Sequence, residues 1–180
     1  MDLWVALVPL VLVTAAVLGW LSWTANRLDR MHHRIDVARE TLRAQLLRRS
    51  GVTLELVAAD AIDPASRLVL LDAAHRARNA EPEELASAES VLSEALRVVF
   101  DQVDDVRALS ADPTFAPLAE ELAQTCAKVE LARRFHNDVV VSARALRSRR
   151  LVRWLHLAGH AAELRTVDLD DVPPPALVAA

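Results

Sequence analysis

The apolar residues of this 180-residue chain follow two patterns, an unbroken run near the amino terminus and a helical 3-4 spacing in much of the remainder. Residues 3–26 carry no formal charge. Because about 20 apolar helical residues cross a ~30 Å hydrocarbon core, this run predicts a transmembrane helix. Trp4 at one end and Trp20 and Trp23 at the other occupy positions typical of interfacial aromatic residues. Residues 1–26 are therefore predicted to be a membrane anchor.

A cleaved signal peptide is the competing interpretation of the run. It requires a basic leader, a shorter apolar core and a small-residue cleavage site, whereas Asp2 is the only charged side chain before the run and no clear site precedes Trp20. Arginines follow the run and none precedes it, so the positive-inside rule places the amino terminus outside the cell membrane and the rest of the chain in the cytoplasm. A lone Cys126 makes no demand for an oxidising compartment.

Four helical stretches are predicted after the anchor. The first continues from the anchor to about residue 61, and the second begins at Asp63-Pro64, a good N-cap followed by a first-turn proline, and ends near Asn79. The third covers residues 82–109 and the fourth residues 115–150. Their narrow apolar stripes and short connections favour an all-α fold, in which the transmembrane helix continues into an elongated antiparallel four-helix bundle over residues 27–150.

The end of the chain breaks this helical pattern. Residues 151–165 contain Trp154 among arginines and predict a short amphipathic segment close to the membrane. Residues 166–180, with three consecutive prolines from Pro173, predict an extended or disordered tail.

Charge is distributed unevenly. Residues 27–50 hold seven Arg against three acids, residues 51–132 hold six basic side chains against sixteen acids, and residues 133–160 hold seven Arg against one acid. In an up-down bundle the first and fourth helices meet at the membrane, so this end is predicted to be polybasic and to contact anionic lipid headgroups. A solvated basic helix end is the simpler alternative. The predicted cluster comprises Arg27, Arg30, Arg34, Arg144, Arg147, Arg149, Arg150, Arg153 and Trp154.

The residues do not indicate catalysis, a metal or a cofactor. His156 and His160 have the i, i+4 spacing of paired zinc ligands, but the glutamate of the metalloprotease motif is missing and Gly159 interrupts the helix. Cys126 adjoins an apolar stripe and is expected to be a small buried side chain. A net charge of −4 and the lack of an aromatic platform argue against nucleic-acid binding. The chain is therefore not expected to be an enzyme.

Three segments resemble the LemA family of bacterial membrane proteins. Residues 34–57 are similar to its I-D…R-R…L-V pattern, residues 88–96 to its A-E-x-x-L-x-x-A-L segment, and residues 132–140 to its A-R-R-x-Y-N-D-x-V motif, with His136 in place of the tyrosine. The resemblance implies an anchored helical bundle without catalytic activity. The polar residues of these segments are Asp36, Arg48, Arg49, Arg133, Arg134, His136, Asn137 and Asp138.

Asn137 in mid-helix needs a hydrogen-bond partner, and Asp36, Arg48 or Arg49 across the bundle are candidates. Arg133 or Arg134 could equally pair with an acid of the first helix, and both contacts would fix the register of the bundle. The favoured function is a membrane-anchored scaffold or interaction module that assembles with itself. The alternatives are an accessory or regulatory subunit of another membrane protein, such as an enzyme or transporter, and a lipid- or ligand-responsive sensor.

Overall fold

A computed structural model describes residues 2–59, 62–147 and 164–179, and within these ranges every regular element is a helix. The all-α prediction is therefore confirmed. The helices are α1 (Asp2–Ala58), α2 (Pro64–Asn79), α3 (Leu85–Val99), α4 (Val103–Leu109), α5 (Phe115–Arg147) and α6 (Pro175–Ala179).

Helix α1 runs for 57 residues, so the predicted continuity of the apolar run with the following charged residues is confirmed. The transmembrane span is not supported, because no helix in the described part of the chain combines the length and the mean hydropathy needed to cross a membrane. Apolar side chains of the run are nevertheless exposed, with Leu10, Val11, Leu12 and Val13 each between 61% and 64% accessible.

The predicted third helix is divided into α3 and α4. Phe100 leaves the helical conformation, with φ −109° and ψ 46°, while its N–H still donates to the carbonyl of Leu96. This places its ring in the core, where it lies 6.3 Å from the ring of Phe115. The side chain of Phe100 is thus buried at the break. The sequence did not predict the break, because the apolar stripe continues on both sides of it.

The described residues form two compact units. The first combines residues 1–37 with 138–165, and its core contains Ile35, Val139, Val140, Ala143 and Leu164. The second combines residues 38–137 with 166–180, and its main core takes side chains from all six helices. A four-helix bundle is therefore too simple a description of the second unit.

Helix α2 begins where the sequence predicted. The Oδ1 atom of Asp63 accepts hydrogen bonds from the backbone N–H groups of Ala65 and Ser66 at 2.9 and 3.0 Å, and Pro64 occupies the first helical position. A hydrogen bond from the side chain of Ser66, followed by these backbone hydrogen bonds, lowers the pKa of Asp63. Helix α2 packs against α3.

The carboxyl-terminal residues, for which the sequence predicted an extended or disordered tail, pack on the helices of the second unit. Residues 164–174 have no regular secondary structure and are followed by α6, which contacts α4. Leu169, Ala176 and Leu177 are buried in the second unit at 6%, 0% and 7% exposure. These three apolar side chains hold the tail on the helices, and their burial offsets the cost of ordering a proline-rich segment.

Candidate functional site

A charged pair lies in the interior of the second unit. Nη2 of Arg49 on α1 is 2.6 Å from Oε2 of Glu89 on α3, and each side chain is only 1% exposed. Arg49 also donates to the carbonyl oxygen of Glu89 at 3.1 Å and to Oγ of Ser93 at 3.0 Å. Burial raises the pKa of Glu89, and the neighbouring guanidinium opposes that rise without cancelling it. We call Arg49, Glu89 and Ser93 the polar centre.

The polar centre is joined to the tail through two serines of α3. Ser93 donates its hydroxyl hydrogen to the carbonyl oxygen of Asp170 with a distance of 2.6 Å, and the N–H of Asp170 donates to Oγ of Ser90 at 3.0 Å. Helix α3 therefore binds both backbone groups of one tail residue. Ser90 and Ser93 can do this because residues three apart share a helix face.

Arg97, one turn further along α3, binds the side chain of the same tail residue. Its Nη1 donates to Oδ1 of Asp170 at 3.0 Å and to the carbonyl oxygen of Val172 at 3.1 Å, and its Nη2 pairs with Oδ2 of Asp170. These hydrogen bonds hold the pKa of Asp170 below its ordinary value. The aspartate is therefore fixed as a carboxylate.

Helix α5 contributes the other half of the contact. Arg133 binds Asp171 in a bidentate manner, Nε to Oδ2 at 2.5 Å and Nη2 to Oδ1 at 3.0 Å. The side-chain amide of Asn137 binds the backbone of Val167 through both of its polar atoms. Its Nδ2 donates to the carbonyl oxygen and its Oδ1 accepts from the N–H, each at 2.9 Å. This is the pairing that an extended chain makes with the next strand of a sheet.

We call Ser90, Ser93, Arg97, Arg133 and Asn137 the tail site. Between its two halves, the side chain of Leu169 packs with Leu42, Leu46, Val129 and Ala132. The site therefore binds an extended backbone at two residues, two adjacent carboxylates and one apolar side chain. Backbone hydrogen bonds combined with pockets for particular side chains are typical of sites that bind an extended peptide.

The sequence model of the LemA family matches residues 38–146, more than half of the chain. The chain belongs to the LemA family. No curated protein and no solved structure matches it. Within this LemA-family chain the polar centre and the tail site lie inside the matched residues, whereas the tail that they bind lies beyond them.

The predicted polar residues are not one cluster. Arg49 belongs to the polar centre, and Arg133 and Asn137 belong to the tail site. The predicted partners of Asn137 and Arg133 on the first helix are wrong, because the tail supplies both partners.

The other predicted polar residues differ in their exposure and in their partners. Arg48 pairs with Glu55 and Glu121 at the surface, and Arg134 pairs with Glu130 one turn away. His136 is buried at 1% exposure. Asp36 and Asp138 are exposed.

The predicted basic cluster is described only in part. Arg30, Arg34 and Arg144 are exposed, and Nε of Arg144 donates to the carbonyl oxygen of Leu164 at 2.8 Å. The side chains of Arg27 and Arg147 are not described, and Arg149, Arg150, Arg153 and Trp154 lie outside the described residues, as do His156 and His160. Lipid contact by this cluster therefore stays a prediction.

Sequence reasoning missed Ser90, Ser93 and Arg97 and their tail partners Asp170 and Asp171. The available signal was a pair of aspartates directly after Leu169, an apolar residue in a charged segment that is buried at 6% exposure. Cys126 is buried as expected, and burial raises the pKa of its thiol. In the part of the chain that the structure describes, no group of three His, Cys, Asp or Glu side chains could hold a metal ion.

Proposed function

We propose that this LemA-family chain is a non-catalytic, membrane-associated interaction module that assembles with further copies of itself. The observation that carries the proposal is the exposed apolar surface of α1. Four apolar side chains on different sides of this helix are 50% to 64% exposed, namely Leu10, Leu12, Val17 and Leu18. A helix that is apolar on all sides is stable only when another phase or another protein covers it.

The second unit presents apolar side chains of its own. Leu131 and Phe135 of α5 are 69% and 47% exposed, and their spacing of four residues places them on one face. Val91 and Val98 of α3, seven residues apart, are 46% and 68% exposed. Paired exposed apolar residues on a helix are typical of surfaces that contact another protein. These two faces are the contacts through which we propose that copies assemble.

The arginines that follow the apolar run support the membrane part of the proposal. Arg30 and Arg34 are exposed on α1, immediately after the last apolar turns. At an anionic leaflet such side chains each contribute about 1 kcal/mol of attraction. We therefore propose that the apolar run is buried in the cell membrane and that the second unit lies on its cytoplasmic side.

The experiment that tests the proposal is the mass and composition of the complex extracted from native membranes in mild detergent. A single species at a multiple of 19.8 kDa supports self-assembly. A second protein in fixed ratio would identify the chain as an accessory subunit instead. A monomer, or recovery in the soluble fraction, would contradict the proposal.

Two variants make that measurement specific. Leu131→Glu with Phe135→Glu should lower the subunit number, because charge on the α5 face opposes its burial. Gln124→Glu adds one charge at an exposed position of the same helix and should leave the subunit number unchanged.

A further inference from the structure

The tail site recognises features that do not depend on the tail being part of the same chain. Asn137 and the two serines bind backbone groups, so they require only an extended segment. Arg97 and Arg133 bind two successive carboxylates, and the apolar cluster takes the side chain that precedes them. Any extended segment with an apolar residue followed by two aspartates offers the same groups.

The ionic part of the contact is built to be reversible. Arg97 and Asp170 are 29% and 35% exposed, and Arg133 and Asp171 are 21% and 8% exposed, whereas both members of the Arg49–Glu89 pair are 1% exposed. A partly exposed ion pair separates at a lower cost than a fully buried one, because water solvates both partners as they part. The tail can therefore be released from Arg97 and Arg133 without leaving an unsolvated charge.

We propose that the tail site is a binding site for an acidic, extended segment of a partner protein, and that residues 167–172 are an intramolecular occupant which that segment displaces. Charge complementarity defines the partner: the site offers two guanidinium groups and two backbone-binding positions, and it therefore selects an apolar residue followed by two aspartates. The tail blocks the site by proximity, since a tethered ligand has an effective concentration in the millimolar range. This inference rests on the proposed interaction function but not on self-assembly.

The test uses the full-length chain in detergent and a fluorescent peptide with the sequence of residues 164–180. The wild-type chain should bind the peptide weakly, because its own tail competes. The chain with Asp170→Asn and Asp171→Asn should bind it about tenfold more tightly or better, since its own tail is a poorer competitor. A peptide carrying the same two asparagines is the matched control and should bind neither chain measurably. In the tail-weakened chain, Arg133→Ala should abolish peptide binding and Arg134→Ala should not.

A single Asp170→Asn chain is the second test of the same point, because it disturbs only the more exposed of the two ion pairs. Equal peptide binding by the wild-type chain and by both tail variants would overturn the proposal, as would equal binding of the asparagine peptide. A lower subunit number in the tail variants would show that a second copy supplies the segment, and would overturn the assignment to a partner protein. Failure of self-assembly alone would contradict the proposed function and leave the peptide result standing.

Discussion

At the scale of single residues, the most consequential feature is a full ion pair in an apolar interior. Arg49 and Glu89 are each 1% exposed, so both charges have lost their water. Each buried charge is stabilised mainly by the opposite charge of its partner. Removal of one partner therefore lowers the free energy of unfolding far more than replacement of both by apolar residues. The backbone carbonyl of Glu89 and the hydroxyl of Ser93 accept two further hydrogen bonds from the guanidinium.

We predict that Glu89→Gln lowers the free energy of unfolding by about 3–5 kcal/mol, because it leaves the Arg49 charge buried without a counter-charge. Urea denaturation followed by circular dichroism measures this change. Glu121→Gln is the matched control, since it removes a surface partner of Arg48 and should cost less than about 1 kcal/mol. Replacement of both members by Arg49→Met and Glu89→Leu should restore most of the loss. A Glu89→Gln chain as stable as wild type would contradict the prediction.

The sequence indicated which polar residues form important hydrogen bonds, but it did not indicate the partners of those residues. Asn137 stood out because it is a poor helix former that needs a hydrogen-bond partner in mid-helix, and Arg133 stood out because it lies in the segment that resembles the LemA family. The partner of Asn137 is the main chain of Val167, thirty residues later, and backbone groups are present at every residue. A sequence therefore cannot distinguish this partner from any other backbone, whereas the stripe positions Leu42, Leu46 and Val129 were predictable because burial depends on side-chain type.

At the scale of helices, α1 continues through a residue that is unfavourable in a helix interior. Gly51 is followed by seven more helical residues and does not break α1. A Cβ atom added at this position would have Nη1 of Arg78 as a neighbour at 3.8 Å, an ordinary van der Waals distance. The glycine is thus not required by packing.

Gly51→Ala should therefore raise the free energy of unfolding by up to about 1 kcal/mol, the difference in helix propensity between the two residues. Thermal unfolding of the two chains measures it. Gly51→Val is the informative companion, since a β-branched side chain has lower helix propensity and greater bulk next to Arg78 and should stabilise less. A loss of stability in Gly51→Ala would show that the backbone at this position needs the freedom of glycine.

Helix α5 binds the tail through Arg133 and Asn137, which lie one turn apart. We predict that Asn137→Leu loses two hydrogen bonds to Val167, weakens tail binding by about 1–3 kcal/mol and leaves the helices intact. Hydrogen exchange should become faster at residues 166–172 and stay unchanged in α3. Asp138→Ala, at the exposed neighbouring position, should change neither. Unchanged protection of the tail in Asn137→Leu would show that the asparagine does not hold it.

At the scale of the whole molecule, the fold class and the apolar stripes could be predicted, whereas the contributions to the core from outside those stripes could not. Helix bounds followed from apolar stripes, caps and prolines, as at Asp63-Pro64. The break at Phe100 and the burial of Leu177 depend on which distant side chains leave space for them, and a one-dimensional pattern does not contain that information. Three prolines favoured an extended or disordered tail, and they suit an extended segment whose partners lie on helices.

Binding of the tail should respond to acid, because a carboxylate is its principal anchor to α3. The hydrogen bonds from Arg97 hold the pKa of Asp170 below its ordinary value of 3.8, and the charge of Arg49 acts in the same direction. The next tail residue, Asp171, forms a second ion pair with Arg133 of α5. A lowered folded-state pKa means that the stabilisation is complete above the ordinary value and is lost as the pH falls through the lowered one.

The contribution of the Arg97–Asp170 pair to tail binding should therefore be complete from neutral pH down to about pH 4 and be lost as the pH falls further, which loosens the tail. Fluorescence anisotropy of a dye attached at the carboxyl terminus would report the release as a fall in anisotropy. The Asp170→Asn chain should have a lower anisotropy at neutral pH and a smaller acid transition, since the remaining titration belongs to other groups. Release on raising the pH, or an acid transition of the same size in both chains, would show that the Arg97–Asp170 pair does not hold the tail.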